Sequence, residues 1–503
     1  MDPSEPRDPP VPPARPTPAP PAWATGDGQA GEGPPAWATR GVPTQELPTL
    51  PTRGPGEPDW LGWGAPPPRR RRAGWVVAAV VALLAVLAST VLALRPTLQD
   101  QPAARQAGRQ AAAPGAAAPA ATAADPRAAV PKLLADRARA VLRGDRAAFL
   151  ATVDRRRAAY YRSQAALFTR LRTVPFSALD YRVIDERNWA PASLRRRYAP
   201  TRVYVPRLQL RYRFKGQDAS PVLGELSYTF VLTRSGWRIG GRGDARRDDF
   251  QIWDAAPVRT TRTGRTLVVH HPGSEPFAAR VLEAAERGFG EVAATWKGRW
   301  ERRVVILVPR NQDEAERLVE VGDMSQIAAI SSSSVESGPG GKVLGNRIVV
   351  NSTLLGPSTR AALQNVVTHE MTHVATRTLA AVPLFLAEGF AEYTALRPHR
   401  NLPPGVTRPA LAERVRAGRF DGRLPSAREL RGRDGQVAYD EASSFCLWVV
   451  ERYGEGRLRS LYRAFAGSRQ PGTDELDRAF QEVLGISTRT AEARWAAWVR
   501  SRL

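Results

Sequence analysis

Residues 366–393 read VVTHEMTHVATRTLAAVPLFLAEGFAEY and hold two of the chain's five histidines, His369 and His373, four apart and with Glu370 between them. In an α-helix residues i and i+4 project from one face, one above the other, so both imidazoles can be directed at a common point. A zinc ion accepts two such nitrogens at about 2.0–2.1 Å, needs a third protein ligand and keeps a fourth position for water. Glu370 would face that water. A carboxylate there can take up a proton during attack on a peptide carbonyl and deliver it to the leaving amine. The pattern therefore points to peptide hydrolysis with Zn2+ as cofactor.

The second half of the stretch, LAEGFAEY, places Glu388 and Glu392 one helical turn apart, so both carboxylates face the same way. On a segment as apolar as PLFLA, buried carboxylates need a partner, and a metal with its histidine ligands is one. Pro383 ends or turns the segment between the two helices, and Gly389 removes a side chain beside the carboxylate. Either glutamate would complete a site of two histidines and one carboxylate.

HEMTH followed by AEGFAEY resembles the gluzincin branch of the zincin metallopeptidases, and particularly the bacterial peptidase MA-like domains. The resemblance implies Glu388 as third zinc ligand and Glu392 as the carboxylate that holds the first zinc histidine by a hydrogen bond. The interval from His373 to Glu388 is shorter than in the aminopeptidase-type and thermolysin-type members, and interval alone would select Glu392. The local motif favours Glu388, because the loop between the helices can shorten. A second match, VAYDEASSFCLWVVERYG at 437–454, resembles the helix whose opening tyrosine stabilises the oxyanion in aminopeptidase-type members, which implies that role for Tyr439. Those members also carry an acidic residue just after a glycine-rich edge strand to bind the free amine of a substrate. The matching strand here, Gly345–Asn351, has none, although it could hold an extended peptide by main-chain pairing, so an endopeptidase is expected.

Elements must position these groups. After GPST, a helix-starting signal with Pro357 near the first turn, comes the helix of the two histidines. Upstream, the apolar runs TLVVH, RVVILV and NRIVVN read as strands alternating with a helical stretch from Phe277 to Trp296, and beyond residue 405 the pattern is mostly helical. Together with the resemblance this implies that 249–503 is a zinc metallopeptidase domain, expected to be zincin-like α+β with a mostly helical C-terminal lobe.

Residues 128–248 open with helical periodicity, with Leu134, Ala138, Val141 and Leu142 on one face and Asp145 as N-cap of a second helix. The period then becomes two: Leu208, Leu210, Tyr212 and Phe214 alternate with polar residues, as do Leu226, Tyr228, Phe230 and Leu232. Helices followed by half-buried strands, closed by the hairpin end SGWRI, argue for an α+β domain. Their order resembles the cone-like helix-plus-curved-sheet fold of the nuclear transport factor 2-like superfamily, which implies a fold and no function.

Further upstream the chain changes character. Residues 1–72 are proline-rich, contain PPAWAT twice, and are expected to be a disordered tail with a partner of its own for the Pro/Trp-rich motif. Residues 73–94 carry no charge and follow Arg69–Arg72, the pattern of a transmembrane helix with the N-terminus in the cytoplasm. Residues 95–127, rich in Ala and Pro, read as a stalk. The expectation is a multidomain, single-pass cell-membrane protein with its catalytic domain extracytoplasmic.

The net charge of +24 is carried by 69 arginines against 4 lysines, scattered through every segment and without a nucleic-acid-binding motif, so no nucleic-acid partner is expected. Cys446 is the only cysteine, which excludes an intrachain disulfide and any cysteine-based metal site, and its apolar context makes it a core residue. His270, His271 and His399 read as packing or surface residues. The partner implied is a peptide or protein substrate. The alternative is a non-catalytic extracytoplasmic binding or structural module that retains a zincin fold.

Overall fold

The computed structural model describes residues 125–244, 248–335, 343–377, 382–432, 435–465 and 471–503. The expected disordered tail, the segment 73–94 and nearly all of the stalk lie outside the described residues. The expectation of a single-pass membrane protein is overturned: among the described residues no helix is long and apolar enough to cross a membrane. The two longest described helices, α5 (Glu275–Thr295) and α10 (Gly435–Ala464, kinked at Gly454), carry charged residues along their length, so neither could serve as a span. The transmembrane helix and the topology built on it, cytoplasmic N-terminus and extracytoplasmic catalytic domain, are withdrawn.

Chain order begins with α1 (Pro126–Arg143), α2 (Arg146–Ala151) and α3 (Ala158–Leu171). Asp145 caps α2 by accepting from the Ala148 N–H at 2.9 Å, as its position implies. Leu134, Ala138 and Val141 are buried, but Leu142 is 43% exposed, because the 3.6-residue repeat has carried it off the core stripe. Next come β1 (Phe176–Asp185), α4 (Ala192–Tyr198), β2 (Val203–Tyr204), β3 (Arg207–Phe214), β4 (Val222–Leu226), β5 (Tyr228–Thr233) and β6 (Gly236–Arg242). They form two three-stranded antiparallel sheets, β1-β3-β4 and β2-β5-β6. In β3 the alternating residues Leu208, Leu210, Tyr212 and Phe214 are all buried. The run 226–232 is not one strand: it breaks at Ser227, and its two halves belong to different sheets. Alternation fails in β5 because Phe230 packs into the large core while its neighbour Val231 packs into a smaller one with Leu194 and Tyr198.

The C-terminal part is built on β7 (Arg259–Arg262), β8 (Thr266–His270), α5, β9 (Val304–Val308), α6 (Gln312–Val319), β10 (Ala329–Val335) and β11 (Val343–Val350). The five strands lie in the order β10-β11-β9-β8-β7, with β8, β9 and β11 parallel and the two outer strands antiparallel to their neighbours. Helices α7 (Arg360–Thr376), α8 (Leu384–Leu396), α9 (Pro409–Arg416), α10, α11 (Thr473–Leu484) and α12 (Thr488–Arg502) complete the chain.

This five-stranded sheet is covered on both faces. Val268, Val304, Ile306, Val308, Ile348 and Val350 pack with α5, α7, α8 and α10. Leu267, Val269, Val305, Leu307 and Val349 face the opposite way, into the core of helices α1–α3 and the two small sheets. That two-sided burial explains why TLVVH and VVILV are apolar without alternation. A bidentate ion pair reinforces the junction: Arg347 of β11 donates to both oxygens of Asp218 at 2.8 Å, and both side chains are about 5% exposed.

Candidate metal centre

Helix α7 starts at a Thr359 N-cap whose hydroxyl accepts from the Ala362 N–H. It seats Leu363, Val367, Met371, Val374 and Ala375 in the core. Its close approach to α5 depends on Gly288, where a Cβ would stand 2.8 Å from the Thr368 hydroxyl and 3.2 Å from the Met371 sulfur. With one stripe committed to packing, His369, Glu370 and His373 are directed elsewhere. Helix α8 begins after Pro383 and buries Phe385, Leu386 and Phe390. Gly389 has a larger task than clearing space beside a carboxylate, since a Cβ there would lie 2.4 Å from the carbonyl oxygen of Ala442. The glycine lets α8 lie against the backbone of α10 and so sets where Glu388 stands.

Three side-chain atoms converge. His369 Nε2 lies 3.1 Å from His373 Nε2 and 3.1 Å from Glu388 Oε2, and His373 Nε2 lies 3.3 Å from the same carboxylate oxygen. The other ring nitrogen of His369, Nδ1, is 3.0 Å from Glu392 Oε2. Glu388 therefore faces the point shared by the two histidines, and Glu392 stands behind one of them. His369, His373 and Glu388 are the one group of histidine, cysteine and acidic side chains among the described residues that could hold a metal ion. Glu370 is mostly buried next to His369 and is not one of the converging groups.

The dimensions test the fit. Ligand atoms about 2.0–2.1 Å from a tetrahedral zinc are separated from one another by about 3.3 Å. The observed triangle has edges of 3.1, 3.1 and 3.3 Å, so these three atoms could take such an ion with shifts of a few tenths of an ångström. Burial alone would push the His369 imidazolium toward neutrality, yet the hydrogen bonds it donates to Glu388 and Glu392 outweigh it and hold its pKa well above the usual imidazole value. Burial would likewise raise the Glu388 carboxyl, but the two histidines keep it far below the ordinary carboxylate range. The Glu392 carboxylate, 3.0 Å from Nδ1, would orient His369 with or without an ion.

Tyr439, at the start of α10, has its ring 6.1 Å from the His369 ring. Burial, and then the carboxylates of Glu388, Glu370 and Glu392, keep its phenol protonated well above the usual range. It can therefore donate a hydrogen bond at neutral pH. His270 and His271 are buried packing residues far from this cluster in the fold, in β8 and just after it; His271 Nε2 lies 2.6 Å from Glu314 and its Nδ1 2.9 Å from the Pro257 carbonyl. His399 sits in a short turn after α8, its pKa lowered by burial. Cys446 is fully buried in α10, and burial pushes its thiol far up.

One expectation is corrected. The strand 345–351 is not an edge: β11 pairs with β10 on one side and with β9 on the other, at Ile348 and Val349. The outer strand is β10, and it is β10 that packs against α7.

Two arginines escaped the sequence reading. Arg377 closes α7 and donates from Nη2 to the Ser331 carbonyl of β10 at 2.7 Å. Burial brings its pKa down to about 10, with Glu370 opposing that shift. Arg431 ends the short helical turn Ala427–Leu430, which packs against both α8 and α10. Its pKa too is lowered by burial, against the pull of Glu388 and Tyr439. Continuing the stripe of Glu370 and His373 by one more turn would have found Arg377. Nothing local marks Arg431.

No family model matches this sequence, and no curated protein matches it. Among solved structures the chain is similar to an M1 zinc metallopeptidase from Deinococcus radiodurans, at 13% identity and a TM-score of 0.31, over 65% of this chain and 71% of that one. A two-domain M1 zinc metallopeptidase bound to L-arginine matches at 15% identity and a TM-score of 0.29, over 65% of this chain and 70% of that one. A Deinococcus radiodurans M1 zinc metallopeptidase bound to a Tyr-Ser-Ala substrate matches at 13% and 0.28, with 65% and 70% covered.

Proposed function

We propose that this chain is a zinc-dependent metallopeptidase, an endopeptidase, in which His369, His373 and Glu388 hold the ion. The observation that carries this reading is the convergence of two Nε2 atoms and one carboxylate oxygen within 3.3 Å of one another, with Glu392 behind the first histidine. Zinc, when bound, would supply Lewis acidity toward a peptide carbonyl and a water molecule.

The chain's own residues do the rest. Glu370 is the carboxylate nearest in sequence that is not taken up by the cluster, and it is buried enough to act as a proton carrier, accepting from water and returning to the departing amine. Tyr439 donates its phenolic hydrogen toward the oxygen on which negative charge develops. Glu392 fixes the tautomer and orientation of His369 by accepting from Nδ1–H. The outer strand β10, AISSSSV, offers main chain for an extended peptide.

The test is zinc content and peptide cleavage by the purified protein, with E370Q as comparison. The expected result is one zinc per chain in both, and a rate in E370Q lower by about 10²–10⁴-fold, the usual weight of a general base. A chain that takes up no zinc, or an E370Q variant as active as its parent, would contradict the proposal.

A further inference from the structure

Four arginines cap helices that carry or adjoin the cluster, and two of them are satisfied. Arg408 donates from Nε and Nη1 to the hydroxyls of Ser443 and Thr407, at 2.9 and 2.8 Å. Arg397 pairs with Glu291 and Glu455. Arg377 and Arg431 differ from these. The Nη1 of Arg377 and the Nε of Arg431 are buried and have no hydrogen-bond partner. Neither side chain belongs to an ion pair among the described residues.

Their positions give the difference a meaning. Arg377 follows His373 by four residues and Glu370 by seven, spacings that keep it on their helical face, about 6 Å further along the axis. Its Nη2 is spent on a main-chain carbonyl of the outer strand, and its Nη1 is left without an acceptor. Arg431 comes from a different element, the turn that packs on the helices carrying Glu388 and Tyr439. A buried N–H without an acceptor is costly and is normally completed by something. Two such groups, both cationic and on elements that carry or adjoin the cluster, call for an acceptor that a carboxylate would supply, because a guanidinium offers a carboxylate paired, charge-assisted donors.

We infer that Arg377 and Arg431 select substrate: the segment cleaved carries a carboxylate side chain, Asp or Glu, on the residue immediately before or after the scissile bond. This rests on the peptidase reading and adds the substrate class to it. Loading the site with a divalent cation strengthens the preference, since it adds positive charge to that of the two arginines.

The experiment compares three sets of otherwise identical internally quenched peptides with Asp, Asn or Lys at each of those two positions. For the zinc-loaded protein, the kcat/KM for the favoured Asp peptide should exceed that for Asn by about tenfold or more, with Lys lowest. R377Q and R431Q should each reduce the Asp-over-Asn ratio through KM, with zinc content retained, and R377K should keep part of it. Equal cleavage of the three peptides, or a ratio that survives both glutamine variants, overturns the inference and leaves the arginines as ties between elements. The same peptides titrated calorimetrically into zinc-loaded E370Q separate the two levels of the argument. Preferential binding of Asp peptides without cleavage by the parent protein sinks the peptidase reading alone, and cleavage without charge preference sinks only this inference.

Discussion

At the residue scale, Glu388 and Glu392 are the same side chain one turn apart, and their surroundings divide the work. Glu388 meets both Nε2 atoms, whereas Glu392 meets only the Nδ1 of His369. E388A should abolish stoichiometric zinc binding, while E392A should weaken it by about 10–100-fold, the usual cost of losing a ligand's supporting carboxylate. Competition with a chromophoric chelator checks both, and equal losses would mean the roles are shared. A second residue-scale prediction concerns Asp440, 2% exposed, whose Oδ2 accepts from the Ala410 and Leu411 N–H groups at the start of α9. Burial raises its pKa to about 7, against the help of those N–H groups and Gln436. In the unfolded chain the same carboxyl ionises near about 4, so between these values the folded protein binds more protons than the unfolded one. Its contribution to stability is therefore greatest in acid and is lost as pH rises toward 7. D440N keeps an acceptor for α9 and does not titrate. Its stability relative to the parent, from denaturant melts, should be more favourable at pH 8 than at pH 4.5, and a gap independent of pH would refute this account.

Among the elements, two glycines on neighbouring helices make opposite predictions. A methyl group at Gly389 would lie 2.4 Å from a backbone oxygen of α10 that cannot move aside cheaply. G389A should cost about 1–3 kcal/mol by overpacking, and because α8 carries Glu388, zinc affinity should fall with it. Gly290 in α5 has nothing within 4 Å of an added Cβ, so G290A should leave zinc binding alone and gain up to about 1 kcal/mol in helix propensity. Thermal melts with zinc titrations test both signs. The elements were largely legible in sequence: the cap at Asp145, the alternation of β3 and the helix of the two histidines follow from local preferences that tertiary contacts did not oppose. The broken run 226–232 and the interior place of β11 were not, because strand partners are chosen by long-range pairing that no local period records.

For the whole molecule, the consequential feature is that the five-stranded sheet belongs to two cores at once. The metal-centre helices rest on one face and the N-terminal helices and small sheets on the other, with Arg347 and Asp218 locked between them and the Arg347 guanidinium 4.5 Å from the Phe214 ring centre. Removing one partner of such a buried pair leaves a charge uncompensated. D218N should cost about 3–5 kcal/mol and lower the unfolding temperature of the protein as a unit. Calorimetry showing the two halves melting separately, with only one affected, would show that the shared sheet does not couple them. Removal of zinc by a chelator should lower the same transition, because an ion bound only by the folded state stabilises it by mass action.

By itself the sequence determined the chemistry on offer: a helical His-Glu-x-x-His face, two carboxylates one turn apart, one inert cysteine and a core rich enough to bury them. Those are properties of residue type and spacing, which the helical repeat converts into geometry without outside help. Only the tertiary structure decided which carboxylate reaches the histidines, which strand lies outermost, and which main-chain carbonyl Arg377 meets. Each of these depends on where separate helices and strands come to rest, through contacts such as Gly389 against Ala442 and Arg377 against Ser331, between residues far apart along the chain.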